Sequence, residues 1–236
     1  MSTPSTANRS PGKRWRVALA VTIFAAIPVA AIAFLARAFS AASRAFDAQE
    51  IRRGQEDLDR QLQALKAGKG NSVHLYETRG TDELLRQVEG MAEVEELNLA
   101  LTDVSDAGIA SVATLPRLRK LVVYGGNRGV TDQGLAELKG KTSLESLELV
   151  NTRVTDEGLR VLQDLPNLRS LTLHYEPWRG TRLTDAGLVH LRNLPKLGSV
   201  TLRGRWASAG AVAELRAALP GCRVITDPPE QQSVRP

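Results

Sequence analysis

Leu144-Glu145-Ser146-Leu147-Glu148-Leu149-Val150-Asn151-Thr152-Arg153-Val154-Thr155-Asp156-Glu157-Gly158-Leu159-Arg160-Val161-Leu162-Gln163-Asp164-Leu165-Pro166 is one full period of this chain. Leu147 and Leu149 are two apart, so they share one face of a short strand, with Glu148 and Val150 on the other. Leu159, Leu162 and Leu165 then recur at three-residue spacing, which predicts a helix. Thr155 is the expected N-cap, and Asp156 in the first turn suits the positive end of the helix dipole. Gly158 has no side chain, so the helix start is expected to lie close to the strand layer. Pro166 stops the helix before the next strand.

The same pulse recurs as Thr131-Asp132-Gln133-Gly134-Leu135 and Thr184-Asp185-Ala186-Gly187-Leu188, with Ser105-Asp106-Ala107-Gly108-Ile109 as an altered copy. From Asp106 onward the aspartates fall 26, 24 and 29 residues apart. A period near 24 predicts a solenoid of stacked strand–helix units, because no single unit can bury its apolar edge alone. The aligned strands are Val73-Leu75, Leu97-Leu99, Leu121-Val123, Leu147-Leu149, Leu171-Leu173 and Val200-Leu202. Six strands at about 4.8 Å make a parallel sheet roughly 25 Å across. Each internal Leu gains about 1.5–3 kcal/mol by leaving water. Leu219 to Ile225 starts a further unit without a following helix and reads as the C-terminal cap.

The Leu-x-x-Leu-x-Leu strand and the Thr-Asp-x-Gly-Leu helix start resemble the leucine-rich repeat family, and within it the ribonuclease-inhibitor-like, cysteine-containing subclass. Bacterial proteins of this style often carry an N-terminal membrane segment. The resemblance covers about residues 71–226. It implies an α/β solenoid with a parallel concave sheet and outer helices, used for protein–protein interaction and carrying no activity. Thr102 and Thr152 stand where members often have Cys or Asn. Lys141-Thr142 replaces the Leu-Pro of other units (Leu115-Pro116, Leu165-Pro166, Leu194-Pro195), which predicts a looser helix exit.

The N-terminal third reads differently. Residues 1–14 are polar and expected to be disordered. Val17 to Ala36 is a 20-residue run without charge, enough for roughly 30 Å of helix. It is preceded by Arg9, Lys13, Arg14 and Arg16, with Trp15 at the interface position. This predicts a transmembrane segment over 15–39, with the repeats on the non-cytoplasmic side. A cleaved signal peptide, processed near Ala41-Ala42-Ser43, is the alternative and would make the protein secreted. Residues 40–70 read as a charged helix and linker. Phe46, Ile51, Leu58, Leu62 and Leu65 form a thin apolar stripe, and the three leucines are expected to cap the first repeat. The repeats occupy 71–226, and 227–236 is a loose tail.

The net charge of +5 invites a nucleic-acid reading, but residues 1–70 carry +6 and residues 71–226 carry 0. A neutral repeat domain lacks the electrostatic footprint of a nucleic-acid binder. Along the repeats the charge runs from −7 over 71–110 to +5 over 191–226. One cysteine and three histidines exclude a disulfide framework and a multi-cysteine zinc site. No phosphate-loop or dinucleotide motif is present, so no cofactor or metal is expected. Glu148, His174 and the serines Ser146, Ser170 and Ser199 suggest a hydrolase triad, but no nucleophile elbow accompanies them.

Two features remain. One concave row reads Tyr76, Ala100, Tyr124, Val150, His174 and Arg203, with Tyr124, His174 and Arg203 expected on alternating strands about 10 Å apart. The other is an insertion from His174 to Arg182, with a smaller one at 125–129 two repeats earlier. Tyr175, Trp178 and Arg179 are expected at its rim. Insertions in solenoids collect on the binding face, and Trp, Tyr and Arg are the commonest anchors. Trp178 sealing the neighbouring edge is the competing reading. The expected site is therefore Tyr124, His174, Tyr175, Trp178, Arg179 and Arg203, taking a protein partner without catalysis. The alternative function is a scaffold self-associating through the helix at 42–66.

Overall fold

The computed structural model describes residues 29–124, 129–175 and 183–227. Its contacts divide the chain into two units, residues 1–48 and 49–236.

Helix α1 runs Val29–Lys66. No helix among the described residues is long and apolar enough to cross a membrane. The expectation of a single-pass membrane protein with a transmembrane helix before the repeats is thereby overturned. Residues 17–28 of the expected span lie outside the described residues, as do 1–14 and the tail from 228.

In the second unit the described residues form one parallel sheet of seven strands, ordered β1 to β7 as in the chain. They are β1 Ser72–Tyr76, β2 Glu96–Ala100, β3 Lys120–Tyr124, β4 Ser146–Val150, β5 Ser170–His174, β6 Ser199–Arg203 and β7 Arg223–Thr226. The expected six strands are joined by Arg223–Thr226, which pairs with β6 as the last strand. Outer turns are α2 Thr81–Arg86, α3 Asp106–Ala113, α4 Asp132–Ala136, 3-10 helices at Gly158–Asp164 and Asp185–Leu191, and α5 Ala209–Ala218. Two of the outer elements are thus tighter than the α-helix that Leu159, Leu162 and Leu165 predict. All three of those leucines are buried nonetheless.

Stacking aligns the core in columns. Val73, Leu97, Leu121, Leu147, Leu171, Val200 and Val224 fall in register across the sheet. Helix-side columns run parallel to it: Leu85, Ile109, Leu135, Leu159 and Leu188 are each buried to within 1%. At the N-terminal end, Leu58 and Leu65 of α1 are buried against the first repeat and Leu62 packs on the same core. Gln61 closes the edge strand: its Oε1 accepts from His74 N–H (2.6 Å) and its Nε2 donates to the His74 carbonyl (2.8 Å). The side-chain amide thus stands in for a preceding strand.

The Thr-Asp-x-Gly-Leu pulse has a different purpose from the expected dipole complement. Each aspartate reaches into the next repeat. Asp82 accepts from Ser105 N–H and Oγ (2.9 and 2.5 Å), Asp106 from Thr131 (2.7 and 2.7 Å), Asp132 from Thr155 (2.7 and 2.6 Å) and Asp156 from Thr184 (2.8 and 2.6 Å). The glycine makes room for the carboxylate of the preceding repeat. A Cβ on Gly158 would lie 2.1 Å from Asp132 Oδ1, and on Gly134 2.3 Å from Asp106 Oδ1. The first unit has no preceding aspartate, and there Leu84 fills the glycine position and is buried. At the other end Asp185 accepts from Ser208 N–H (2.7 Å), and Ala209, in the aspartate position, ends the ladder. Ser105, Thr131 and Thr184 also cap their own helices, whereas Thr155 does not: its 3-10 helix starts at Gly158 without a side-chain cap.

Two carboxyls that bridge units lie below the ordinary value of 3.8: Asp185 of the ladder, and Asp103, which accepts from Gly80 and Thr81 N–H at 3.1 and 3.0 Å. For Asp185 the main cause is the hydrogen bond from the Ser208 hydroxyl, then that from its N–H. For Asp103 burial acts upward, but bonds from Thr81 and Gly80 and the nearby Arg79 outweigh it. Folded-state values below the unfolded one mean that their stabilisation is complete above it and is lost as pH falls through the folded values. Unfolding stability is therefore expected to decline below about pH 4, and less so in Asp103→Asn. An acid limb identical in that variant would contradict this.

Lys141 corrects the expectation of a loose helix exit. Its Nζ donates to the Ala113 carbonyl (2.5 Å) and to the Leu115 carbonyl, satisfying acceptors at the exit of the preceding helix. Burial lowers the Lys141 pKa. The strand-exit turns hold Glu77, Leu101 and Asn151 in the left-handed region, at φ 49°, 56° and 53°. Asn adopts that conformation at lower cost than Leu. Leu101→Asn is expected to raise stability by about 0.5–1 kcal/mol, read as a higher denaturant midpoint. A lower midpoint would contradict the backbone assignment.

Candidate partner-binding site

The second and fourth residues of each strand enter the core, so the first, third and fifth make an open face of three rows. In the fifth row Tyr76, Ala100, Tyr124, Val150, His174 and Arg203 are register partners. Ala100 and Val150 are buried, Tyr124 is 40% exposed, His174 is half-buried and Arg203 is exposed. The expected alternate-strand spacing holds only for Tyr124 and His174, which flank Val150. His174 and Arg203 pair directly, at about 4.8 Å. The row is thus a cationic and imidazole pair with an aromatic two strands away.

Tyr175 is not a rim residue. It is 1% exposed, and its hydroxyl lies 2.6 Å from Thr152 Oγ1 in a hydrogen bond. Its ring meets Trp206 edge-on at 6.4 Å. Burial pushes its phenol pKa up. The chain turns inward one residue after β5, so the first aromatic of the insertion anchors the loop instead of presenting it. Trp206 is partly buried and packs against the core beside it. Trp178 and Arg179 lie outside the described residues.

The rest of the face is mostly polar, with Val122 and Ile225 as the apolar members of the middle row. Glu148 in the middle row pairs with Lys120 at 3.9 Å. Before the strands, Arg119 grips Glu145 through two bonds of 3.2 and 3.1 Å, and Arg169 stands 3.9 Å away. Hydrogen bonding from Arg119 holds the Glu145 carboxyl below its usual range. These pairs are exposed and add little to stability. They do fix the charge pattern along the strand entries.

A hydrolase triad is not assembled. Ser170 and His174 sit four residues apart on one strand, about 13 Å, and Glu148 registers with Thr172 instead of His174. Burial pushes the Cys222 thiol up, away from thiolate chemistry at neutral pH. His190 lies on the helix side, and among the described residues no cluster of three His, Cys, Asp or Glu could hold a metal ion.

Residues 140–162 match the family model described as a leucine-rich repeat. No curated protein matches the sequence significantly. Among solved structures, the chain is similar to leiomodin-1 actin-binding site 2, at 16% identity over 69% of this chain and 87% of that one, with a TM-score of 0.41. The family match falls on the unit quoted at the outset. With the seven-strand stack around it, it supports a leucine-rich repeat family.

Proposed function

We propose that this chain is a non-catalytic protein-binding module whose partner docks on the open face across β3–β6, within a repeat domain of about residues 71–226. A leucine-rich repeat domain suggests protein–protein interaction. The observation that carries the site is the placing of exposed Tyr124 and Arg203 and half-buried His174 in one row of a face that the fold does not need for its core. Trp178 and Arg179 of the insertion are assigned to the border of the same site. The Thr-Asp-x-Gly-Leu starts also favour the ribonuclease-inhibitor-like subclass.

Binding energy at such a surface concentrates in a few anchors, each costing more than ~2 kcal/mol on truncation. Tyr124→Ala and Arg203→Ala are expected to lose the partners that wild type captures, while thermal stability stays unchanged. Val189→Ala, on the helix side, is expected to keep them. Loss with Val189→Ala and retention with the other two would move the site to the outer helices.

Self-association is the second reading, and one observation narrows it. Leu58 and Leu65 are buried in their own repeat domain, so they are not free to form a seam between copies. Phe39 and Phe46, seven residues apart and 78% and 59% exposed, are. A solution dimer lost in Phe39→Ser/Phe46→Ser would favour this reading.

A further inference from the structure

We infer that the open face of β5–β7 receives an extended acidic segment of the partner, with two carboxylates four residues apart. This rests on the proposed docking face and names the chemistry of what docks there. Ser170 registers with Ser199, and Thr172 with Thr201, so four small hydroxyl side chains form a flat floor. Arg223 registers with Ser199 at one end of this floor. Arg203 lies two residues beyond Thr201 at the other. Both arginines are exposed, and neither has an ion pair or side-chain hydrogen bond among the described residues.

The geometry sets the ligand pattern. Arg223 and Arg203 are offset by four strand positions, about 13 Å along the strand direction, and by one strand. An extended segment laid along β6 places side chains i and i+4 on one face at the same 13 Å or so. Two carboxylates at those positions meet the two guanidiniums, and residue i+2 falls on the hydroxyl floor. Bulky side chains on the floor would hold the segment off. Ser and Thr let it approach and donate hydrogen bonds to it. None of the residues of β5, β6 or β7 is a carboxylate, and Asp227, one residue past β7, is engaged by Gly204 N–H at 2.6 Å, whereas Glu96 and Glu148 stand on β2 and β4. Residues 191–226 carry +5 against −7 over 71–110, so the field draws an acidic segment to this end and orients it. A nucleic acid is the poorer fit. The floor has no aromatic for base stacking, and the acidic first repeats repel a phosphate chain.

The test uses the full chain and a fluorescein-labelled peptide of pattern Glu-Ser-Thr-Ser-Glu, followed by anisotropy. The expected result is binding that weakens with added salt. It falls ten-fold or more in Arg203→Glu and in Arg223→Glu, and is unchanged in Arg117→Glu, an exposed arginine off the face. Arg203→Gln and Arg223→Gln, checked by thermal melting, separate lost contact from lost fold. Equal binding of a peptide with adjacent glutamates, or of an oligothymidylate, would overturn the inference in favour of a general anion surface. No peptide binding, with capture still dependent on Tyr124, would overturn the acidic segment and leave the docking face standing. Loss of both would remove both.

Discussion

Gly158→Ala is expected to destabilise the repeat domain by about 2–3 kcal/mol, although alanine normally favours a helix over glycine by about 0.5–1 kcal/mol. The added methyl would sit 2.1 Å from Asp132 Oδ1 and 2.7 Å from its Cγ. A free carboxylate would swing aside, but this one accepts from Thr155 N–H and Oγ at 2.7 and 2.6 Å. Moving it breaks a charge-assisted pair and leaves a part-buried N–H unsatisfied, at roughly 1.5–3 kcal/mol. Asp132→Ala removes the same rung directly and should cost about as much. The double variant removes the clash together with the rung, so it should cost about as much as either single change instead of their sum. Denaturant titration of the four proteins checks this. Additive losses would mean that glycine and aspartate do not share one junction. The effect should recur at Gly134 with Asp106, where Asp106 also accepts from Gly134 N–H at 2.9 Å.

Tyr175→Ala should cost still more, about 3–5 kcal/mol, the range for deleting a buried aromatic. Among the described residues Tyr175 leads the fully buried side chains by volume, and its ring packs against Trp206. The backbone is tight there as well. Gly204, at φ 94°, leaves no space for a Cβ, which would fall on the Tyr175 carbonyl. Tyr175→Phe keeps the packing and leaves the Thr152 hydroxyl without its 2.6 Å partner, so about 1–2 kcal/mol is expected. Thermal or urea unfolding separates the two variants. A Tyr175→Ala protein of wild-type stability that no longer captures its partner would return Tyr175 to the rim.

The parallel stack was legible because its signals repeat. The two-residue spacing of Leu147 and Leu149, met again in each unit, set both the strands and their register. The junctions were not legible, because a within-unit reading of Asp156 finds only its own helix. Its true partner, Thr184, is 28 residues away and becomes visible only when units are stacked. Tyr175 misled for a related reason. At the mouth of an insertion its type suggests an anchor, and only the turn after β5 sends it inward. The apolar run ending at Ala36 was read by length and flanking charge. The structure describes only its last eight residues, Val29 to Ala36, which Arg37 follows. Lys141 looked like a missing Leu-Pro, while its length lets the ammonium reach the carbonyls of the previous repeat.

The core consumes one face of the sheet, and the other is proposed to receive the partner. Side-chain footprinting of the captured complex tests it most directly. Tyr124 and Val189 are both accessible in the free chain, at 40% and 48%, on the sheet face and the helix side respectively. Partner binding is expected to protect Tyr124 and to leave Val189 labelled as before. Protection of Val189 with Tyr124 unchanged would contradict it.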